Sequence, residues 1–427
     1  MRNSSTPTQP RSLWRHPEFL KLWGGQTFSA FGSLISGITL PFLVIYTLHA
    51  TPAQVAWVRT AEIAPGMLVG LFAGVWIDRL RRKPIMIWAD VMRALLIGSI
   101  PMAFWLGHLT LPQILVVGAL VSILTVSFDV SYETYLPTLV GPEQVLEANA
   151  KLSATGSIVE VAGFGIAGML FQLIGGALTL AIDAVSFVVS VVTLAWIRKP
   201  EPAPTAPEAE ESVLRAAAAG LRTVAQNPLL LALTGSGSLA SIFDGAMGTL
   251  YVLYVSRQLQ IAPGVQGILY ATGGISSFVG AAIAGRVLRR FGLGPTLGLA
   301  SFFGLIAIAL VPAAFGPYWL ILAMLISQQL LGDVSETVYK INVTSLRQVV
   351  VPNALLGRVN ATWRVANWLF VLGGTLGAGL LAEKLGLQTT FFLAVGVRGL
   401  ASLWLVLSPV RRIRAMPAAA AGAAAET

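Results

Sequence analysis

The chain has 427 residues, 55% hydrophobic and 11% charged, with 28 lysines and arginines against 19 aspartates and glutamates and no cysteine. So few charges cannot cover a soluble surface of this size, where roughly a quarter of residues are charged, and the missing cysteines exclude disulfides, thiolate metal sites and cysteine nucleophiles. A net charge of +9 would point to nucleic acid in a soluble domain, but here the cations stand in short connectors between apolar runs, where they report membrane topology.

Residues 1–17 are polar and basic, and the apolar run that follows is longer than the core of a secretory signal, so the first helix is expected to be retained. A membrane-crossing helix needs about 20 mostly apolar residues. That window places spans at 20–48, 53–77, 84–106, 112–136, 152–174, 177–197, 229–255, 265–288, 295–315, 318–339, 359–381 and 389–407. Connectors such as Thr51-Pro52, Gly107-His108, Pro263-Gly264 and Gly316-Pro317 separate them. The predicted fold class is an all-α integral membrane protein with twelve transmembrane helices.

Between the sixth and seventh spans, 199–211 is a Pro/Ala/Glu run expected to be non-helical, and 212–226, with Leu214, Arg215, Leu221 and Arg222, reads as a short helix on the membrane surface. The predicted organisation is a six-helix bundle (1–198), a linker (199–227), a second six-helix bundle (228–410) and a tail (411–427). Basic clusters at 79–83, 198–199, 289–290 and 411–414 fall on one side and only Arg257 and Lys384 on the other, which puts both termini in the cytoplasm of a plasma (inner) membrane.

The halves echo one another. Gly74 and Pro84 have the spacing of Gly285 and Pro295; Asp129-Val-Ser matches Asp333-Val-Ser; Asn149, Gly163 and Gly168 keep the spacing of Asn360, Gly374 and Gly379. Three matches in one order are a repeat, and parallel six-helix repeats are an architecture of secondary transporters. The second half has Arg289 where the first has Asp78, and a longer connector is expected before its fifth helix.

Gly74-x-x-x-Asp78-Arg79-x-x-Arg82-Lys83, between the second and third spans, resembles the loop signature of the major facilitator superfamily. The opening, Phe19-Leu-Lys-Leu-Trp23-x-Gly25-Gln26-x-x-Ser29, looks like the efflux branch that includes macrolide exporters and the enterobactin exporter. Physically the loop reads as a gate: Gly74 permits close helix approach, Asp78 can accept hydrogen bonds from a helix N-terminus, and Arg82 and Lys83 can pair with carboxylates. The resemblance implies that Asp78 docks at the start of the eleventh span, near Gly357-Arg358. The same residues also read as a plain positive-inside anchor.

Charges inside spans are costly and tend to face a cavity or a partner. Arg59 with Glu62, and Asp90 with Arg93, stand three apart and read as structural pairs. Asp129 and Glu133 are one turn apart and are candidates for pairing with Arg79 or Arg93. Glu160, Asp183, Asp244 and Asp333, with Glu336 one turn beyond, look unaccompanied. Desolvation favours the neutral form of such a carboxylate, which is what a proton carrier requires. Arg398 is expected to neutralise Asp333 or Asp244, or to bind an anionic substrate.

Gly156, Gly163, Gly165 and Gly168 form a small-residue face where the superfamily's antiporters carry a glycine signature, although Phe164 replaces its proline and the arginine common in the fourth helix of drug exporters is missing. Phe31, Tyr132, Tyr251, Tyr254, Gln328 and Gln329 would line a cavity in the family arrangement, or face lipid. No phosphate-binding or His-Glu-x-x-His motif supports an enzyme, and no metal or cofactor is expected. The expected function is export of a hydrophobic or amphipathic small molecule, a drug or secondary metabolite, by proton antiport from a monomer in the lipid bilayer. A siderophore exporter of the same fold and a non-transporting receptor or scaffold are the alternatives.

Overall fold

The computed structural model describes residues 12–77, 79–201 and 213–415, and all regular structure among them is helical. The helices are α1 (Pro17–Tyr46), α2 (Pro52–Ile77), α3 (Arg82–Trp105), α4 (Leu111–Val140), α5 (Val145–Trp196) and α6 (Val213–Gln226). They continue as α7 (Pro228–Leu253), α8 (Pro263–Phe291), α9 (Leu293–Ala309), α10 (Tyr318–Val350), α11 (Asn353–Leu385) and α12 (Leu387–Leu407).

At 52 residues, α5 would be about 78 Å long if straight, more than twice the hydrocarbon thickness. It is not straight: Gly175, at φ 80° and ψ 163°, breaks it into two arms, the predicted fifth and sixth spans. Only a residue without Cβ adopts that conformation cheaply. Gly386, at φ 82°, makes the same break between α11 and α12, at the sequence offset that relates Asn149 to Asn360. With α5 counted as two, α1–α5 and α7–α12 supply the twelve predicted spans. Eight described helical stretches, the whole of α5 being one, are long and apolar enough to cross a membrane. At 17 residues, α9 is a short apolar helix.

Two expectations change. The long connector before α11 is helix: α10 runs on to Val350 and only Val351 and Pro352 precede α11. The apolar run ends near 339, but Asn342, Val343 and Leu346 continue the buried face of α10, so packing extends the helix past the hydropathy boundary. The amphipathic α6, expected on the membrane surface, packs on α11 and α7. Gly220 lies so close to the Arg358 carbonyl and Thr362 that a Cβ would collide, and Val224 is buried with Leu230, Val351 and Val359. Asn227 then caps α7, accepting from Leu229 N at 2.9 Å and Leu230 N at 3.3 Å.

The chain forms two compact units. The first takes Met1–Leu40, Ala61–Gly163 and Leu173–Glu208; the second takes Pro41–Thr60, Phe164–Gln172 and Ala209–Thr427. In the first unit Phe19, Leu22, Met86, Phe128, Tyr135 and Leu194 join α1, α3, α4 and the second arm of α5 in one apolar core. In the second, α7 packs on α11 and α12, and α10 on α8 and α9.

Glycines carry the repeat into three dimensions. Gly163 faces Leu34 of α1, and Gly374 meets the backbone of Ile242 in α7; Gly168 meets Pro263 and Gly267 at the start of α8, and Gly379 meets Pro52, Ala53 and Ala56 at the start of α2. Matched glycines thus receive matched helices. Gly165 has only an ordinary contact with Ala271, and Gly156 has no neighbour within 4 Å, so the small-residue face of α5 is used at two of its four positions.

Candidate functional site

In the first unit, Asp90 and Arg93 form a fully buried ion pair on α3, and the Arg93 guanidinium lies 4.5 Å from the ring centroids of both Phe128 and Phe187. The pair expected from spacing therefore exists, clamped between aromatic faces that supply cation–π attraction in a dry core. The same unit holds further acids within its spans. Asp183 is buried, accepts a hydrogen bond from Ser186 Oγ at 3.1 Å, and faces Gly32 of α1. Asp129 and Glu133 are exposed on one face of α4, with the charge of Arg93 reaching Asp129. Glu160 is exposed on the first arm of α5.

Asp78 lies outside the described residues. Arg82 and Lys83 of the loop motif are tied down locally. Glu201, just past α5, accepts from the backbone amides of Arg82 at 2.7 Å and Lys83 at 3.2 Å, and its carboxylate pairs with Arg82 at 3.7 Å. A carboxylate there meets the unpaired N–H groups and positive dipole end of α3. The Lys83 ammonium donates to the carbonyls of Ile197 at 2.6 Å and Ala195 at 3.4 Å, so a cation meets the C-terminal end of α5 in return. Arg79 is exposed.

Lys21 and Glu18 close the other flank: Lys21 Nζ donates to Trp196 O at 2.9 Å, and the Arg198 amide donates to Glu18 at 2.8 Å. Burial acts to raise the Glu18 carboxyl, but the bonds from Lys21 and Arg198 outweigh it and hold the group below its ordinary value. This closure is therefore complete at neutral pH and is lost only as pH falls through that lowered value.

Glu201 sits among linker residues, where sequence does not single it out; its signal is an acid one proline beyond the basic pair Arg198-Lys199 at a span end. Glu201→Gln should lower stability by about 1 kcal/mol, the worth of an anion at a helix N-terminus. Thermal unfolding of the purified protein checks this, and an unchanged midpoint would show that the contact holds nothing.

In the second unit, Arg398 of α12 is buried and donates to Glu336 of α10 at 2.5 Å; Lys340 reaches the same carboxylate at 3.4 Å. Glu336 is therefore accompanied by two cations, which corrects the reading of it as solitary. Arg398 bonds Glu336, one turn beyond Asp333 on α10, rather than Asp333 or Asp244, a juxtaposition no single-helix spacing reveals. The Arg398 charge still reaches Asp244, which is exposed on α7. Tyr339, 3.3 Å from Ser236 Oγ, completes the cluster. Asp333 points toward Gly273 of α8, beside Gln329.

Gln328, Gln329, Tyr251 and Tyr254 are all buried. The Gln329 amide donates to Leu269 O at 3.0 Å, and Tyr251, Tyr270 and Phe164 form a chain of rings with centroids 5.6 Å apart. Arg59 belongs to this unit, its Nε 3.7 Å from where a Cβ on Gly248 would stand, while Glu62 lies beside Gly118 in the first unit.

The second unit also fastens the ends of α1, α5, α7 and α8. Arg257, beyond α7, donates to Ala50 O at 2.7 Å and Ile45 O at 3.5 Å, capping the C-terminus of α1 with a cation. Gln172 of α5 accepts from Gly264 N at 2.9 Å, capping α8. In the sequence Arg257 reads only as a topology marker.

The family model described as "Transmembrane secretion effector" matches residues 8–424. An "Uncharacterized MFS-type transporter y4rN" of Sinorhizobium fredii is 28% identical over 397 residues, 91% of this chain and 93% of that protein. An "Enterobactin exporter EntS" of Escherichia coli is 26% identical over 415 residues, 95% of each. Among solved structures, a bacterial homologue of the iron transporter ferroportin in an inward-facing state superposes with a TM-score of 0.75 at 19% identity, covering 93% of this chain and 99% of that one. The nucleoside transporter NupG (D323A mutant) does so at 0.73 and 14%, covering 92% and 99%. These structural likenesses concern the fold.

Proposed function

Since the chain belongs to the transmembrane secretion effector family of major facilitator transporters, we propose that it exports a hydrophobic or amphipathic small molecule in exchange for protons. Two six-helix bundles joined by the 199–227 linker rock about a central site, with both termini in the cytoplasm of the plasma membrane and the monomer as the working unit. Family membership favours transport over a receptor or scaffold.

The observation that supports proton coupling is the unequal standing of the acids within the spans. Glu336 is held by Arg398 and Lys340, whereas Asp244 lies open within the field of the same guanidinium. A carboxylate so placed can take and release a proton with only a small shift of the arginine between the two acids. Asp333 and Glu160 are the further candidates, and Asp78 with Arg79 belongs to the gate. A siderophore is the second cargo reading, favoured by similarity over 95% of its length to an enterobactin exporter.

Inverted membrane vesicles test the coupling. Uptake of a hydrophobic amine dye should stop when the proton gradient is collapsed, and Asp244→Asn should uncouple it. Uptake indifferent to the gradient overturns antiport. Secretion of the native chelator by cells with and without the gene separates the two cargoes.

A further inference from the structure

Between α9 and α12 of the second unit lies an apolar groove of about 200 Å³. Gly294, Pro295 and Gly298 line it from α9, Leu405 and Val406 from α12, and Val410 and Arg411 from the turn that follows. The groove exists because Gly298 has no side chain: a Cβ there would touch only a Val406 methyl, at 3.9 Å. An apolar recess of this kind does not hold ordered water.

The backbone that follows Arg411 is fixed in place. The segment after α12 turns back on the start of α9, with Gly294 N donating to Ile413 O at 2.7 Å and Leu293 N to Arg414 O at 3.2 Å. Ser408 Oγ caps the turn by accepting from Val410 N at 3.3 Å. Arg411, Arg412 and Arg414 are all exposed there. No aspartate or glutamate occurs from 245 to 332 or from 384 to 425, so neither strand of the sequence that builds this corner offers these guanidiniums a carboxylate. Leu299, Phe302 and Leu407 are exposed on the same two helices, as lipid-facing residues are.

We propose that this groove binds one anionic phospholipid of the surrounding bilayer, with an acyl chain against Gly298 and Val406 and the phosphate at Arg411. Apolar shape selects the chain, and the positive corner, for which the described residues supply no ion pair, selects a negative headgroup over a zwitterionic one. The site is independent of the cargo and of proton coupling.

Native mass spectrometry of the full-length protein, delipidated and then titrated with phosphatidylglycerol or phosphatidylcholine, tests it. The wild type should retain one phosphatidylglycerol preferentially. Arg411→Gln should weaken that binding about fivefold, the worth of one arginine near an anionic surface. Gly298→Leu should abolish it by filling the groove, and Arg222→Gln, which removes an exposed charge from α6, should leave it unchanged. If Gly298→Leu does not fold, Val406→Trp narrows the groove from α12. Equal retention of the two lipids, an equal loss in Arg222→Gln, or full binding in both groove-filling variants would overturn the site.

Discussion

Arg398→Leu should lower the stability of the protein by an amount on the order of 3–5 kcal/mol, the cost of leaving a buried charge without its partner. Arg398 is only 6% exposed and lies 2.5 Å from Glu336. Removing the guanidinium leaves Glu336 with the more distant Lys340, itself largely exposed, and deprives Asp244 of the cation that acts on it most strongly. Thermal unfolding in detergent, followed by intrinsic tryptophan fluorescence, measures the loss.

The double variant Arg398→Leu with Glu336→Leu should recover most of it, because two apolar groups of similar size can replace a buried pair at little cost. Recovery of stability without recovery of transport is the expected pattern if the cluster also serves coupling. A single variant as stable as wild type would show that Glu336 is not confined by Arg398.

Gly245→Val should be nearly as damaging, for steric reasons. A Cβ at Gly245 would collide with the backbone of α11 at Val371 and Thr375, and one at Gly374 would collide with the backbone of α7 at Ile242. Backbone cannot rotate away as a side-chain tip can, so the two helices must separate, at a cost of about 1–3 kcal/mol or more. The same substitution at Gly373, one residue along α11 and with no atom within 4 Å, should change stability by less than about 1 kcal/mol. Equal effects at Gly245 and Gly373 would show that helix preference, and not the α7–α11 crossing, governs both. Expression and thermal unfolding of the two valine variants decide this.

Much of the fold could be read from the chain itself because the solvent for most of its length is lipid. Each crossing needs its own run of apolar residues and its own break, so twelve spans, the Gly175 and Gly386 turns and the internal repeat are all local properties. The Asp90–Arg93 pair was legible for the same reason, since both partners lie on one helix turn.

What the chain alone could not disclose is everything that depends on which helix passes which. Glu336 meets Arg398 across sixty-odd residues of sequence, Glu201 meets the start of α3, and Arg257 meets the end of α1; none of these follows a helical spacing. Hydropathy also misjudged α10 and α6, because it registers contact with lipid but not contact with another helix. Composition and periodicity determined the number and length of the spans; only tertiary packing decided which charges are confined and which remain open, because electrostatic pairing is settled by distance in space rather than distance along the chain.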